Sequence, residues 1–419
     1  MRPMVSVNRV GDGAAGVPGP REFPLFWAGR FASTTGYHMQ AVGVGWLVYD
    51  LTRSAFALGL VGLVQFAPMV ALALVAGHAA DRFERQRIAR LCQAFQGVAA
   101  LLLALAAWSG GTSLPLVLGF AFLIGATRVF ENPSLQALVP RIVPPGRRAR
   151  AFALSGSAVQ GATVLGPALG GLLYLGGPRA VFVGAACAYF VASLLVGLIR
   201  ATPEASAPVR EPATWATLSA GIRFIGRQPA LLGAISLDLF AVLLGGATAL
   251  LPIYARDILR VGPAGLGMLR SAPAFGAVLM ALALARWPLQ RHVGRAMFAA
   301  VAVFGVATIV FGLSRVFGLS LAALFVLGAA DMVSVVIRAA IVQLDTPDSM
   351  RGRVSAVNYV FIGASNQLGE FESGLTAAWF GTVPSVVIGG IGTLLVVAAW
   401  SRLFPQITHR DQLGEGVNG

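Results

Sequence analysis

Arg30, Arg128, Glu131, Asp238, Asp331, Arg338 and Glu370 each interrupt a long apolar run. A charge at membrane depth is expensive and usually faces a partner or a water-filled cavity. The chemistry open to such residues is ion pairing and proton exchange. Burial favours a protonated carboxyl, whereas a nearby arginine favours the ionised form. A movement that makes or breaks a pair would therefore move a proton, with Asp238, Asp331, Glu131 and Glu370 as candidate carriers. Glu131 follows Arg128 by three residues and could neutralise it locally, and Arg338 is placed to snorkel. Tyr37, His38 and Gln40, together with Asn358, Asn366 and Gln367, are candidate substrate contacts. His38 could titrate near neutral pH or be a satisfied packing residue. His78, His292 and His409 form no metal-ligand spacing, and Cys92 and Cys187 lie apart in apolar segments. No metal and no cofactor is expected.

The elements that must hold these residues are membrane helices. Hydrophobic residues make up 57% of the chain and charged residues 11%, where a soluble domain carries about 25% charged. Twelve apolar stretches of spanning length are expected at 24–48, 56–80, 88–108, 114–136, 151–176, 180–199, 230–253, 264–285, 295–314, 318–343, 354–381 and 383–403. The fold class expected is all-α and integral to the membrane. Every basic residue is arginine, and most fall on one side. That side holds the N-terminus, the loops after spans 2, 4, 8 and 10, the central linker and the C-terminal tail. The other side holds Arg53, Arg179, Arg256, Arg260 and Arg315. The positive-inside rule then puts both termini in the cytoplasm of a plasma-membrane protein. It also explains the net charge of +14 without a nucleic-acid partner; the partner implied is the lipid bilayer. Residues 1–20 lack the apolar core of a cleavable signal. The expected division is a cytoplasmic tail 1–23, a helical half 24–199, a linker 200–229, a second half 230–403 and a tail 404–419. Part of the linker, about 214–226, reads as an amphipathic surface helix.

The two halves resemble each other. At an offset of 203 residues, Arg148-Ala149-Arg150 falls on Arg351-Gly352-Arg353, Gly166 on Gly369 and Gly171 on Gly374. Around the first span the offset is nearer 207, and Tyr49-Asp50 falls on Arg256-Asp257. The repeat sets Arg128 on Asp331 and brings Arg30 beside Asp238. The expectation is that these arginines and aspartates face each other across a central cavity, as in transporters built from two repeats.

Gly77-His78-Ala79-Ala80-Asp81-Arg82-Phe83-Glu84-Arg85-Gln86-Arg87 joins spans 2 and 3. It resembles the loop 2–3 signature of the major facilitator superfamily, departing from it at Ala79 and Glu84. A close-packing glycine followed by a helix-end carboxylate and arginines can latch one half to the other. Gly77, Asp81, Arg82, Arg85 and Arg87 are the candidate latch. Span 5 carries Gly166-Pro167-Ala168-Leu169-Gly170-Gly171, which resembles the end of the antiporter motif of exporters in that superfamily. Gly166, Pro167, Gly170 and Gly171 are the candidate hinge. Trp46-Leu47-Val48-Tyr49-Asp50-Leu51-Thr52 and Arg351-Gly352-Arg353-Val354 narrow the resemblance to the branch that includes enterobactin-type siderophore exporters and macrolide efflux proteins.

That resemblance implies twelve helices in two pseudo-symmetric six-helix bundles. It also implies proton-driven efflux of a small amphipathic molecule, such as a siderophore or drug, by a monomer. Uptake on the same fold is the alternative, as is a receptor or structural protein that does not transport. A membrane enzyme would need a nucleophile and base or a metal cluster, which four scattered histidines do not supply. ATP-driven transport would need a phosphate-binding loop, and the sequence has none.

Overall fold

The computed structural model describes residues 21–200 and 215–412, and every regular element in them is helical. The first six long helices are α1 (Glu22–Thr52), α2 (Ala55–Arg82), α3 (Arg85–Trp108), α4 (Leu114–Ile142), α5 (Arg148–Leu173) and α6 (Pro178–Gly197). A short helix α7 (Trp215–Arg227) precedes α8 (Pro229–Gly245), α9 (Gly262–Arg286), α10 (Val293–Leu313), α11 (Phe317–Leu344), α12 (Asp348–Phe380) and α13 (Thr382–Leu403). Ten are long and apolar enough to cross a membrane on length and composition alone. Helices α1 and α12 are longer, at 31 and 33 residues, and fall short only in composition. They are the two that carry Arg30, Tyr37, His38 and Gln40, and Asn358, Asn366, Gln367 and Glu370.

The chain weaves between two ends. One end carries the turns after α1, α3, α5, α8, α10 and α12; the other carries the arginine-rich loops. Within the first six helices α1 packs on α5 and α6, and α2 and α3 pack on α4. Within the last six, α11 packs on α9 and α10, and α13 on α8 and α10. Two seams join the sets, α2 with α12 and α5 with α9.

The repeat extends to the backbone. Arg53 and Arg260, 207 positions apart, both take left-handed conformations after their helices, with φ of 52° and 55°. Gly177 and Gly381, which cap the starts of α6 and α13, have φ of 89° and 90°. A side chain is disfavoured in that region, so glycine is the fitting residue there.

Helix α8 is shorter than the span expected at 230–253. Its α-helix ends at Gly245, and the chain continues through a 3-10 turn (Ala247–Leu250), one α-turn beginning Leu251-Pro252 and a π-turn (Tyr254–Ile258). A glycine pair and a proline without an N–H are ordinary causes of such a break. The result carries Tyr254–Ile258 over to α1.

Helix α7 lies on the start of α12, where a Cβ on Gly221 would meet Val357 and the Arg353 carbonyl. Its Ile225 is buried and Ile222 exposed. The segment after α13 is docked, not a free tail. Ile407 is fully buried, and the Val293 and Gly294 amides donate to the carbonyls of Asp411 and Arg410. The Arg410 guanidinium holds Asp345 through two bonds of 2.6 and 2.8 Å. Hydrogen bonds to charged groups contribute about 1.5–3 kcal/mol. Arg410→Ala is expected to lower stability by about that amount, read as a fall in the unfolding midpoint of the purified protein. An unchanged midpoint would show that the docked segment is not a brace.

Candidate functional site

At the turn after α1 the two sets of helices are tied by charges. Arg256 of the π-turn donates to the Asp50 carboxylate, and the Tyr49 hydroxyl donates to Asp257. Arg53 lies 3.7 Å from Asp257. Positions 49 and 50 match 256 and 257 in the repeat, so the bonds cross: 49 reaches 257 and 50 reaches 256. This is the self-complementary contact expected about a two-fold axis. Arg256 also lies over the Trp46 ring at 5.6 Å.

Glycine seams continue this closure. A Cβ on Gly171 of α5 would lie 3.0 Å from the Gly267 Cα of α9, and one on Gly59 of α2 would lie 2.9 Å from the Gly374 Cα of α12. Gly171 and Gly374 are repeat mates, so the seams are two copies of one contact. Small residues allow this approach of backbones. Gly166 and Gly170 face α1, against His38 and Met39, while the Pro167 carbonyl packs by Gly267. The Ser271 hydroxyl adds a 2.7 Å bond to the Val164 carbonyl.

Just inside this closed end lies a cavity of about 60 Å³. Its wall takes Tyr37, Gln40, Val44 and Gly45 from α1, Leu58 and Gln65 from α2, and Phe120 and Ile124 from α4. The last six helices contribute Ala249, Arg270 of α9 and Glu370 of α12. Both sets of helices therefore build it. The Tyr37 hydroxyl reaches Gln65 Oε1 at 3.5 Å, and the Arg128 guanidinium stacks 3.8 Å from the centre of the Tyr37 ring.

Of the expected substrate contacts, Tyr37 and Gln40 line this cavity, and Glu370 joins them from the charged set. His38 turns away toward α5, where its Nε2 lies 3.2 Å from the Thr163 hydroxyl. That is the packing role left open above. Asn366 is exposed and donates to the Ile362 carbonyl of its own helix at 2.9 Å. Asn358 and Gln367 each hold a buried side-chain oxygen without a partner, outside the lining.

The arginines and aspartates do not meet across the cavity as expected. Asp238 of α8 accepts from Arg338 of α11, both within the last six helices. Arg338 does not snorkel; its side chain is 6% exposed and that of Asp238 7%. Asp331 joins Asp238 in the lining of a second, smaller cavity with Ser334 and Phe304. The mismatch has a simple cause: Arg338 lies seven residues after Asp331, two turns on along the same helix. Arg30 lies on α1, outside both linings. Glu131 accepts from Gln93 and Gln96 of α3, each at 3.0 Å, so its two oxygens are held from the neighbouring helix. Of the candidate latch in the loop after α2, the side chains of Gly77, Asp81 and Arg82 lie outside the described residues. Arg87 pairs with Glu84 at 2.7 Å on its own turn, and Arg85 begins α3.

Arg270 and the Asp50–Arg256 contact escaped the sequence reading. Arg270 lies inside the span at 264–285, where a scan for isolated charges finds it. The crossed contact had its signal in the repeat itself, which set Tyr49-Asp50 on Arg256-Asp257. No group of side chains suited to holding a metal occurs among the described residues.

The family model described as transmembrane secretion effector matches residues 20–415. The chain is 26% identical over 391 residues to an enterobactin exporter, EntS, of Escherichia coli K12, covering 93% of each protein. It is likewise 26% identical over 400 residues to EntS of Shigella boydii, covering 93% of this chain and 95% of the relative. Among solved structures it is similar to a bacterial homologue of the human lysosomal transporter Spinster in an inward-facing, occupied conformation. The TM-score is 0.72 at 16% identity, over 92% of this chain and 98% of that one. The nucleoside transporter NupG gives a TM-score of 0.73 at 12% identity, over 91% and 98%. These structural likenesses show the fold.

Proposed function

The chain belongs to the transmembrane secretion effector family of the major facilitator superfamily, and from that premise we propose that it exports an amphipathic organic molecule in exchange for protons. As a member it is a secondary transporter and a multi-pass membrane protein, not an enzyme. The observation that carries the proposal is the cavity built by both sets of helices, with Arg270 and Glu370 in its wall, beneath an end shut by crossed bonds.

The halves at 24–199 and 230–403 are the bodies that rock. The arginine-rich loops lie in the cytoplasm with both termini, so a cavity shut at the opposite end faces inward. Rocking breaks the Asp50–Arg256 and Tyr49–Asp257 bonds, opens that end and closes the other. The protein works as a monomer, since the cavity is complete within one chain. Export as the direction rests on the relatives, which are named exporters, and a siderophore or drug suits a cavity whose wall is about half polar and half apolar and carries two charged groups. Proton coupling rests on the carboxyls held at membrane depth. Asp238 pairs with Arg338, Asp331 lines the small cavity beside Asp238, Glu370 lines the main cavity, and Glu131 sits among glutamines.

Inverted vesicles carrying the protein test this. They are expected to take up an exported compound when a proton gradient is imposed and to stop when it is collapsed. Compounds are chosen by comparing siderophore release and drug tolerance in deletion and overexpression strains. Among Asp238→Asn, Asp331→Asn, Glu131→Gln and Glu370→Gln, at least one is expected to lose gradient dependence. Normal coupled transport by all four variants rules out the proton reading.

A further inference from the structure

We propose that Arg270 is the anchor for a compact anionic group on the transported molecule, which makes the substrate class an organic anion. The inference rests on the export reading above and goes beyond it by naming the chemistry recognised. Arg270 is on α9, and its guanidinium reaches across to α1: a Cβ on Gly45 would lie 3.7 Å from Nη2. It therefore sits where the two halves meet, in the wall of the main cavity. Its Nε is buried and has no hydrogen-bond partner.

Three arginines of the membrane helices and their turns are engaged by protein groups. Arg338 holds Asp238, Arg256 holds Asp50, and Arg128 stacks on Tyr37. Glu370 shares the Arg270 cavity and its charge acts on the guanidinium, yet no hydrogen bond or ion pair within 4 Å joins the two among the described residues. A buried donor left unsatisfied costs about 1–3 kcal/mol, more when charged. A site that keeps one is suited to a ligand that supplies the acceptor. A planar guanidinium matches a carboxylate, sulfonate or phosphate through two parallel bonds.

The rest of the wall fits the remainder of such a molecule. The Gln40 side-chain oxygen is also buried without a partner and can accept from a hydroxyl or amide. Tyr37 and Phe120 offer aromatic surface, while Leu58 and Ile124 are apolar. The match is an amphipathic acid with an aromatic or aliphatic body.

Binding of two probes to the purified full-length protein tests the proposal without any transport step. One is 1-pyrenebutyrate, and the other is its uncharged amide of nearly the same shape. Wild type is expected to bind the acid at least 10-fold more tightly than the amide. Arg270→Gln is expected to remove that preference while leaving amide binding unchanged, and Arg270→Lys to keep part of it. The unchanged amide affinity serves as the check that the variant is folded. Equal binding of acid and amide by wild type overturns the proposal, as does an acid preference that survives Arg270→Gln, or no binding of the acid. Export failing in vesicles while the acid preference holds would instead count against the transport reading alone.

Discussion

A leucine in place of Gly171 or Gly374 is expected to cut transport at least 10-fold while leaving each helical set folded. Even a Cβ at Gly171 would lie 2.6 Å from the Pro263 carbonyl and 3.0 Å from the Gly267 Cα. Gly374 is its repeat mate, and a Cβ there would lie 2.6 Å from the Gly59 Cα and 2.8 Å from the Ala55 carbonyl. Under the proposed alternating access, both contacts exist only when this end is shut. Added bulk in a tight contact typically costs about 1–3 kcal/mol, and here the cost falls on one conformation of two. A coupling of that size shifts an equilibrium by roughly 5–150-fold. The variants should rest with this end open, so a cysteine at Gln40 should react faster with an impermeant thiol reagent added from that side. Gly119→Leu is the control, because a Cβ there meets nothing within 4 Å. Normal transport by Gly171→Leu would remove the seams from the account.

The second large effect is the loss of one buried pair. Replacing Asp238 by asparagine is expected to cost about 3–5 kcal/mol of stability, the range for leaving a buried charge without its partner. Arg338 would then keep its charge in a site where it is only 6% exposed. Asp331→Asn leaves the Asp238–Arg338 bond in place and is expected to cost less, about 1–2 kcal/mol. Both are read from unfolding midpoints of the purified proteins. Equal costs for the two variants would mean that the Asp238–Arg338 pair does not brace the fold.

The architecture was legible because lipid imposes a strong rule on sequence. Spanning length, apolarity and arginine placement set the helices to within several residues, and the repeat offsets recur in the backbone at Arg53 and Arg260 and at Gly177 and Gly381. The break in α8 was harder to read. Gly245, Gly246 and Pro252 are tolerated in unbroken membrane helices too, so their presence does not fix the π-turn. Charge pairing was less legible again. The repeat aligned Arg128 with Asp331 correctly as positions, but alignment about a pseudo-two-fold does not make mates touch. Partners come from the crossed register, as at Asp50 and Arg256, or from neighbours in the same half, as with Asp238 and Arg338. Helix rotation decides the remainder. Tyr37 and His38 are adjacent in sequence, and one faces the cavity while the other faces α5.

The central claim is that the two ends of the Arg270–Glu370 cavity open in alternation, with the crossed bonds shutting one of them. Spin-label distances test it most directly, on a background with Cys92 and Cys187 replaced. One pair, Ser113→Cys with Arg315→Cys, spans the end carrying the crossed bonds; the other, Arg150→Cys with Arg351→Cys, spans the arginine-rich end. All four sites are exposed. Adding Asp50→Ala and Arg256→Ala is expected to lengthen the first distance and shorten the second in the same sample. Two distances that stay fixed, or that lengthen together, would contradict alternating access governed by this contact.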